Sequence, residues 1–335
     1  MLPEYYPILQ VPLPPEALES NEFRGSREKF WVRVPEQRNS WLLKFPRPGT
    51  GEHWAEKIAA EIGNLAGINC ARVELARCQG QLVEFGQTAA HEGGHWQTYQ
   101  NKLVTVCESF IPSEQSEDDS VDIDVHTLHG YEILEMFIEG YDTSQRFGQR
   151  EHSVKNILTA MAQLVRKGSS DPMPSWDLEF KALTSYALLD GFIGNTDRHH
   201  ENWMVAYVFD QGYKWIEVPP SYDHASSLGR ELTDERRRRI LEADAMLNYL
   251  HRGRGGVFVD RNRRRALSPL RLARLLCRWM PDFTRETLAR IAEVSDSQIR
   301  DTVNRVPPVF MSDIAKEFAH KAIVTGRDEL LRSVR

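Results

Sequence analysis

Cysteine is scarce: Cys70, Cys78, Cys107 and Cys277 are the only four in 335 residues, and no CxxC pair occurs. That spacing suggests neither a disulfide framework nor a thiolate zinc site, and it fits a reducing compartment. No uncharged apolar run approaches the roughly 18 to 20 residues that span a bilayer. The opening Met1-Leu2-Pro3-Glu4 lacks the basic start and apolar core of a signal peptide. A soluble, cytoplasmic protein with no membrane partner is the expectation. Positive charge is in deficit, 42 Lys and Arg against 48 Asp and Glu, so no global attraction to nucleic acid or anionic lipid follows. No GxxxxGKS/T string exists, which excludes a Walker-type phosphate loop, and Gly49-Thr50-Gly51-Glu52 reads as a turn feeding a helix. Internal repeats are also absent.

Large side chains, by contrast, are plentiful. Eight Trp, ten Tyr, fourteen Phe and a 41% hydrophobic content rule out a disordered chain. At roughly 100 to 200 residues per domain, the length predicts about two lobes. Residues 22–110 read mainly as β. The aromatic and β-branched runs Phe30-Trp31-Val32-Arg33-Val34 and Trp41-Leu42-Leu43-Lys44-Phe45, split by a polar turn, predict an antiparallel pair. Ala55, Ile58, Ala59, Ile62, Leu65 and Ala66 then follow at helical spacing and end at Gly67. Further strands are expected at 72–76, 82–85 and 103–108. Six acidic residues crowd 113–124, which reads as a solvated connection between lobes. Beyond it the pattern is helical, interrupted by one hairpin over 203–209 and 213–218. Thr233 and Ser268-Pro269 are helix caps, and a final helix starts near Ser312. The division predicted is 1–111 and 112–335.

The most informative segment is Gly194-Asn195-Thr196-Asp197-Arg198-His199-His200-Glu201-Asn202, after a helix and before the hairpin. Asp223 follows the hairpin. In phosphoryl transfer an Asp on a catalytic loop takes or orients the substrate hydroxyl proton. An Asn a few residues on binds Mg²⁺, and a second Asp beyond a strand pair holds the metal that bridges the phosphates. Helix, Asp-x4-Asn, hairpin and Asp reproduce that order here. Such a site needs a phosphate clamp upstream. Lys44 is a lone charge in an apolar strand and requires a partner for its amine; Glu56 and Glu61 of the next helix are both candidates. The segment around Gly25 and Ser26 can cover phosphates through backbone N–H groups. Ser26 is also a candidate autophosphorylation site, because a phosphate there would compete for the triphosphate pocket.

The string GNTDRHHEN, the later Pro220-Ser221-Tyr222-Asp223 and the Lys44 strand with its EHWAEKIAAEIGNLAGI helix resemble HipA-type serine/threonine kinases of bacterial toxin–antitoxin modules. The resemblance runs from about Gly25 to the final helix. It implies an α+β, bilobal protein-kinase-like fold with a β-rich N-lobe and a mainly helical C-lobe, and it implies ATP and Mg²⁺ as cofactors. Carried over by motif, Asp197 is the catalytic base, Asn202 and Asp223 the Mg²⁺ ligands, Lys44 the ATP-phosphate lysine and Glu56 its partner. The strand ending in Glu108-Ser109-Phe110 becomes the hinge that holds adenine. An aminoacyl-tRNA synthetase or other translation component is the implied substrate, and a DNA-binding antitoxin the implied partner. The early position of Lys44 implies a compact, single-kinase-domain form. Ser26-Arg27-Glu28 departs from the S-x-S pattern of some short relatives.

Two patterns are set apart from this site. His91-Glu92-Gly93-Gly94-His95 matches HExxH, but its glycines and lack of helical periodicity indicate a loop. Adjacent His199 and His200 do not converge as metal ligands, and a structural role is expected for His199. Finally, residues 230–278 hold fourteen Arg and no Lys against six acids, a local +8. This is either an anion-binding face for nucleic acid or an acidic protein, or a solvated helix surface. Adenylyl transfer, phosphorylation of a lipid or small molecule, and nucleic-acid binding without turnover are the alternative functions.

Overall fold

A computed structural model describes residues 4–13, 27–37, 39–80, 82–84, 96–98, 101–111, 123–168, 177–210 and 213–332. Gly25, Ser26 and the His91–His95 motif lie outside the described residues. The N-terminal half is built on β1 (Ile8–Leu13), β2 (Lys29–Arg33), β3 (Ser40–Lys44), helix α1 (Glu52–Leu65), β4 (Val73–Gly80), β5 (Leu82–Glu84), β6 (Trp96–Thr98) and β7 (Leu103–Glu108). β5 and β6 form a separate ribbon, and the other five make one sheet in the order β1-β4-β7-β3-β2. Only β1 pairs in parallel, with β4. The sequence reading starts the sheet after residue 22 and so omits β1. Pro12 masks that strand; it is tolerated because β1 lies at the sheet edge.

Period-two alternation decides what each face of this sheet carries. Trp41 and Leu43 of β3 turn into an apolar layer with Phe30, Val32, Val104 and Val106. Leu42 and Lys44 consequently take the opposite face. β3 lies between β7 and β2, so Lys44 is not on an edge. α1 covers the second face. Its Trp54, Ala55, Ile58, Ala59 and Ile62 are all at most 3% exposed and share a core with Val73, Leu75 and Cys107.

The C-terminal half contains β8 (Ile123–His129), α2 (Gly130–Phe137), α3 (Val154–Gly168), α4 (Asp177–Ile193), β9 (Met204–Asp210) and β10 (Tyr213–Glu217). It continues with α5 (Asp234–Glu242), α6 (Met246–Arg252), α7 (Pro269–Trp279), α8 (Pro281–Glu293), α9 (Asp296–Asn304) and α10 (Asp313–Arg332). The expected hairpin is present as β9 and β10, and β8 adds a third strand to it in antiparallel register. Residues 123 and 124 therefore begin a strand, where the acidic composition suggested only loop. Thr233 and Ser268 cap their helices by accepting from Arg236 N and Arg271 N.

The main core crosses the chain's midpoint. α1 packs on Leu188, Leu189 and Phe192 of α4, in a cluster that extends to Phe318 and Ile323 of α10. Gly63 makes this approach feasible, since a Cβ there would collide with Cys70 Sγ and come within 3.2 Å of Leu189. The helix bearing Glu56 is thus clamped from both sides.

Candidate active site

Alternation on β3 and the clamp on α1 bring two opposite charges together. Lys44 Nζ lies 2.5 Å from Glu56 Oε1, and both side chains are almost fully buried. Glu61 instead pairs with Lys57 at 2.7 Å. Lys44 also faces Asp223 Oδ1 at 3.6 Å. Arg27 closes the group, donating to Glu56 Oε2 at 3.2 Å and to Asp223. Burial opposes the charge on Lys44, but Glu56 and Asp223 outweigh it and raise its pKa, so the amine stays protonated. For Asp223 burial again opposes charge; Lys44 and Arg27 outweigh it and hold the carboxyl well below the usual range. Asp223 adopts φ +58°, a left-handed conformation that Asp enters more readily than most side chains.

The segment from Gly194 to Asn202 begins where α4 ends. Gly194, at φ +69°, turns the chain, and Asn195 N donates back to Asp190 O at 2.9 Å. Arg198 grips both carboxylate oxygens of buried Asp190 at 2.8 Å. The same guanidinium donates to Asn202 O at 2.7 Å and Ser221 Oγ at 3.0 Å, tying the loop to the segment that carries Asp223. Asn202 Nδ2 donates to Asp197 O at 2.7 Å. Its Oδ1 accepts no hydrogen bond among the described residues.

Asp197 is the tuned group of this loop. Burial and the nearby Asp223 charge raise its pKa to about 6, against the lowering effect of Arg146, Arg230 and Arg47. Its Oδ2 accepts a long bond of 3.4 Å from Ser226 Oγ. His199 stands 3.9 Å from Asp197, but burial and Arg146 lower its pKa to about 3, so it is neutral and makes no ion pair. Arg146 Nε donates to His199 Nε2 at 2.9 Å, and His200 bonds Tyr141 at 2.6 Å. The two histidines face different partners, in keeping with structural roles.

Asp197, Asn202 and Asp223 line one cleft of about 260 Å³ with Lys44, Glu108, Ser109 and Phe110. Glu56 stands behind Lys44, fully buried. Arg27, Lys29, Arg47 and Arg146 add positive charge to the walls, and Leu42, Met204 and Phe110 add apolar surface. The segment expected to form the hinge has a defined backbone pattern. Glu108 N donates to Arg72 O at 2.9 Å and Ser109 N to Ser40 O at 2.8 Å, so the sheet uses both. Phe110 N–H donates to no described backbone carbonyl. Two hard oxygen donors, Asp223 carboxylate and Asn202 Oδ1, suit Mg²⁺, which is commonly held by one or two protein oxygens plus substrate phosphates. Among the described residues no group of three His, Cys, Asp or Glu forms a metal cage.

Sequence reasoning missed the bridging role of Arg27 and the anchor Asp190. Asp190 carries a readable signal, a single acid inside the apolar run Tyr186-Ala187-Leu188-Leu189-Asp190-Gly191-Phe192. Arg27 carries none, because its partner Asp223 is 196 residues away.

No family model and no curated protein matches the sequence. Solved structures do. The Helicobacter pylori proinflammatory kinase CtkA superposes with a TM-score of 0.67 at 17% identity, covering 98% of each chain. HipA of Shewanella oneidensis MR-1, from a toxin–antitoxin complex with HipB and operator DNA, superposes with a TM-score of 0.51 at 14% identity. That match covers 93% of this chain and 64% of HipA. At these identities the likeness is one of fold. The chain has the α+β, bilobal protein-kinase-like fold that its motifs implied. No helix among the described residues is long and apolar enough to cross a membrane.

Proposed function

We propose that this protein is a HipA-like serine/threonine protein kinase that transfers the γ-phosphoryl group of Mg²⁺-bound ATP to a protein hydroxyl. The observation that supports this most is the joining of Lys44, Glu56 and Asp223 in one ionic chain, in a cleft that also receives Asp197 and Asn202. In this reading the lobes divide near residue 111, and adenine rests against Leu42, Phe110 and Met204. Phe110 N–H and Glu108 C=O are the hinge groups that bind its edge. Lys44 and Arg27 hold phosphate oxygens, and Glu56 fixes the direction of Lys44. Asn202 and Asp223 would hold Mg²⁺, which neutralises charge on the phosphates.

Chemistry is then mostly positioning. The substrate hydroxyl oxygen forms the new P–O bond as the bond from the γ-phosphorus to the bridging oxygen breaks and ADP leaves. The hydroxyl proton passes to Asp197, whose pKa of about 6 leaves it mainly ionised at neutral pH and still basic enough to accept. Gly25 and Ser26 are assigned to phosphate binding, with Ser26 as the candidate autophosphorylation site. A cytoplasmic location, a translation component as substrate and a DNA-binding antitoxin as partner complete the family reading. The HipA neighbour, solved with HipB and operator DNA, supports the last.

The test is label transfer from γ-labelled and, separately, α-labelled ATP, with Mg²⁺, to the protein itself and to bacterial lysate. Label from the γ position alone, on Ser or Thr of this chain or a discrete protein band, is expected. Label from the α position overturns the reading in favour of adenylyl transfer, and label only in lipid or small molecules overturns the protein substrate.

A further inference from the structure

The loop from Arg252 to Leu267 contains six arginines and one acid, Asp260. It is a firm structure. Val257, Phe258 and Val259 are buried, Phe258 N donates to His152 O at 2.9 Å, and Val154 N donates to Phe258 O at 2.8 Å. Gly255 N donates to Leu267 O at 2.9 Å and closes the base of the loop. Its glycines lie against the catalytic loop. A Cβ at Gly256 would stand 2.6 Å from Arg198 O and 3.0 Å from His199 N, and one at Gly253 would stand 3.1 Å from the Thr196 methyl group. The residues on either side of Asp197, through the Thr196 methyl group and the Arg198 backbone, therefore lie against this loop.

While the glycines face inward, Arg252, Arg254, Arg261, Arg264 and Arg265 are exposed. None of these five pairs with a carboxylate among the described residues; only Arg263 reaches Asp260, at 3.9 Å. In α5, by comparison, two of the four arginines are paired, Arg237 with Asp234 at 2.7 Å and Arg239 with Glu235. Like charges held together without partners on a fixed loop repel one another, and an anionic ligand relieves that repulsion. Planar guanidinium groups suit carboxylates in particular, through paired N–H donors.

We infer that this loop is the docking surface for an acidic segment of the protein substrate, placed so that a hydroxyl within or beside that segment reaches Asp197. The inference rests on the phosphotransfer reading and adds the substrate class. Two observations favour a short acidic protein segment over nucleic acid. The chain carries net −6 overall and +8 within 230–278, which leaves −14 elsewhere, so a long polyanion that overran the patch would meet repulsion. Phe258, the loop's one aromatic residue, is 5% exposed, so the loop offers no platform for base stacking.

The test is fluorescence anisotropy with the full chain and a short labelled peptide holding one Ser among Glu and Asp. A matched peptide with Gln and Asn, and single-stranded RNA of equal charge, serve as competitors. The acidic peptide is expected to bind at least about tenfold tighter than the neutral one at low salt, with the gap closing as salt rises. Combined Arg254→Glu, Arg264→Glu and Arg265→Glu removes the gap; the corresponding Gln substitutions give the same direction if the reversals do not fold. Equal binding of the two peptides, a gap that survives the triple change, or displacement of the peptide by less RNA than acidic peptide overturns the proposal. ATP consumption is read in the same samples. Selective peptide binding without any turnover overturns phosphoryl transfer and leaves the docking surface standing. Turnover that ignores peptide acidity does the reverse.

Discussion

Two charged clusters meet at the loop from Gly194 to Asn202, and they differ in how completely their hydrogen bonds close. Around Asp190, the Arg198 guanidinium donates to Asp190, Asn202 O and Ser221 Oγ, while Ser221 bonds His224 at 2.8 Å. Burial, with Arg198 adding to it, lowers the His224 pKa to about 3 and keeps the ring neutral. Around Lys44, by contrast, Asp197 and Asp223 retain side-chain exposures of 26% and 24%, against 6% for Asp190. The first cluster has no capacity left for a ligand. The second faces the cleft with carboxylates that keep hydrogen-bonding capacity toward solvent or a ligand. Similar residue types thus build a scaffold in one place and a candidate site in the other, and satisfaction of polar atoms separates the two.

The largest expected effect falls on the open cluster. Asp197→Asn keeps the shape of the loop and removes the proton acceptor, so phosphoryl transfer should drop by about 10³-fold with ATP binding and melting temperature unchanged, as read by label transfer and calorimetry. The closed cluster should respond in the opposite sense. Arg198→Met strands the Asp190 carboxylate in the core and should lower unfolding free energy by about 3–5 kcal/mol in urea titration. Equal effects of the two substitutions on stability would erase the distinction. Lys44→Met should reduce kcat/KM by about 10²-fold, since one preorganised cation on the phosphates is lost. The smallest change is expected for Arg27→Ala, a rise of about tenfold in KM for ATP, as suits one charge-assisted hydrogen bond.

The same comparison explains what the sequence made legible. That Asp197, Asn202 and Asp223 share one cleft was foreshadowed by their order and local spacing around a hairpin. Lys44 was readable because a lone charge in Trp41-Leu42-Leu43 demands a partner, although the choice between Glu56 and Glu61 needed α1 in place. The closed cluster was hidden. Its bonds run from α4 to residues 221–224 after the hairpin, and no periodicity records such pairings. β1 and β8 were likewise obscured, by Pro12 and by an acidic run that masks the start of Ile123–His129. The core shared by α1 and α4 was invisible for a similar reason: helical spacing reports an apolar face but not what covers it.

The pH dependence of phosphoryl transfer tests most directly whether the open cluster is tuned for catalysis. Asp197 accepts a proton only when ionised, so with a pKa raised to about 6 the rate at saturating ATP should fall as pH drops through that value and level off above it. The limb should vanish from the residual activity of Asp197→Asn. A profile flat through that range in the wild type, or a limb that persists in the Asn variant, would contradict the account.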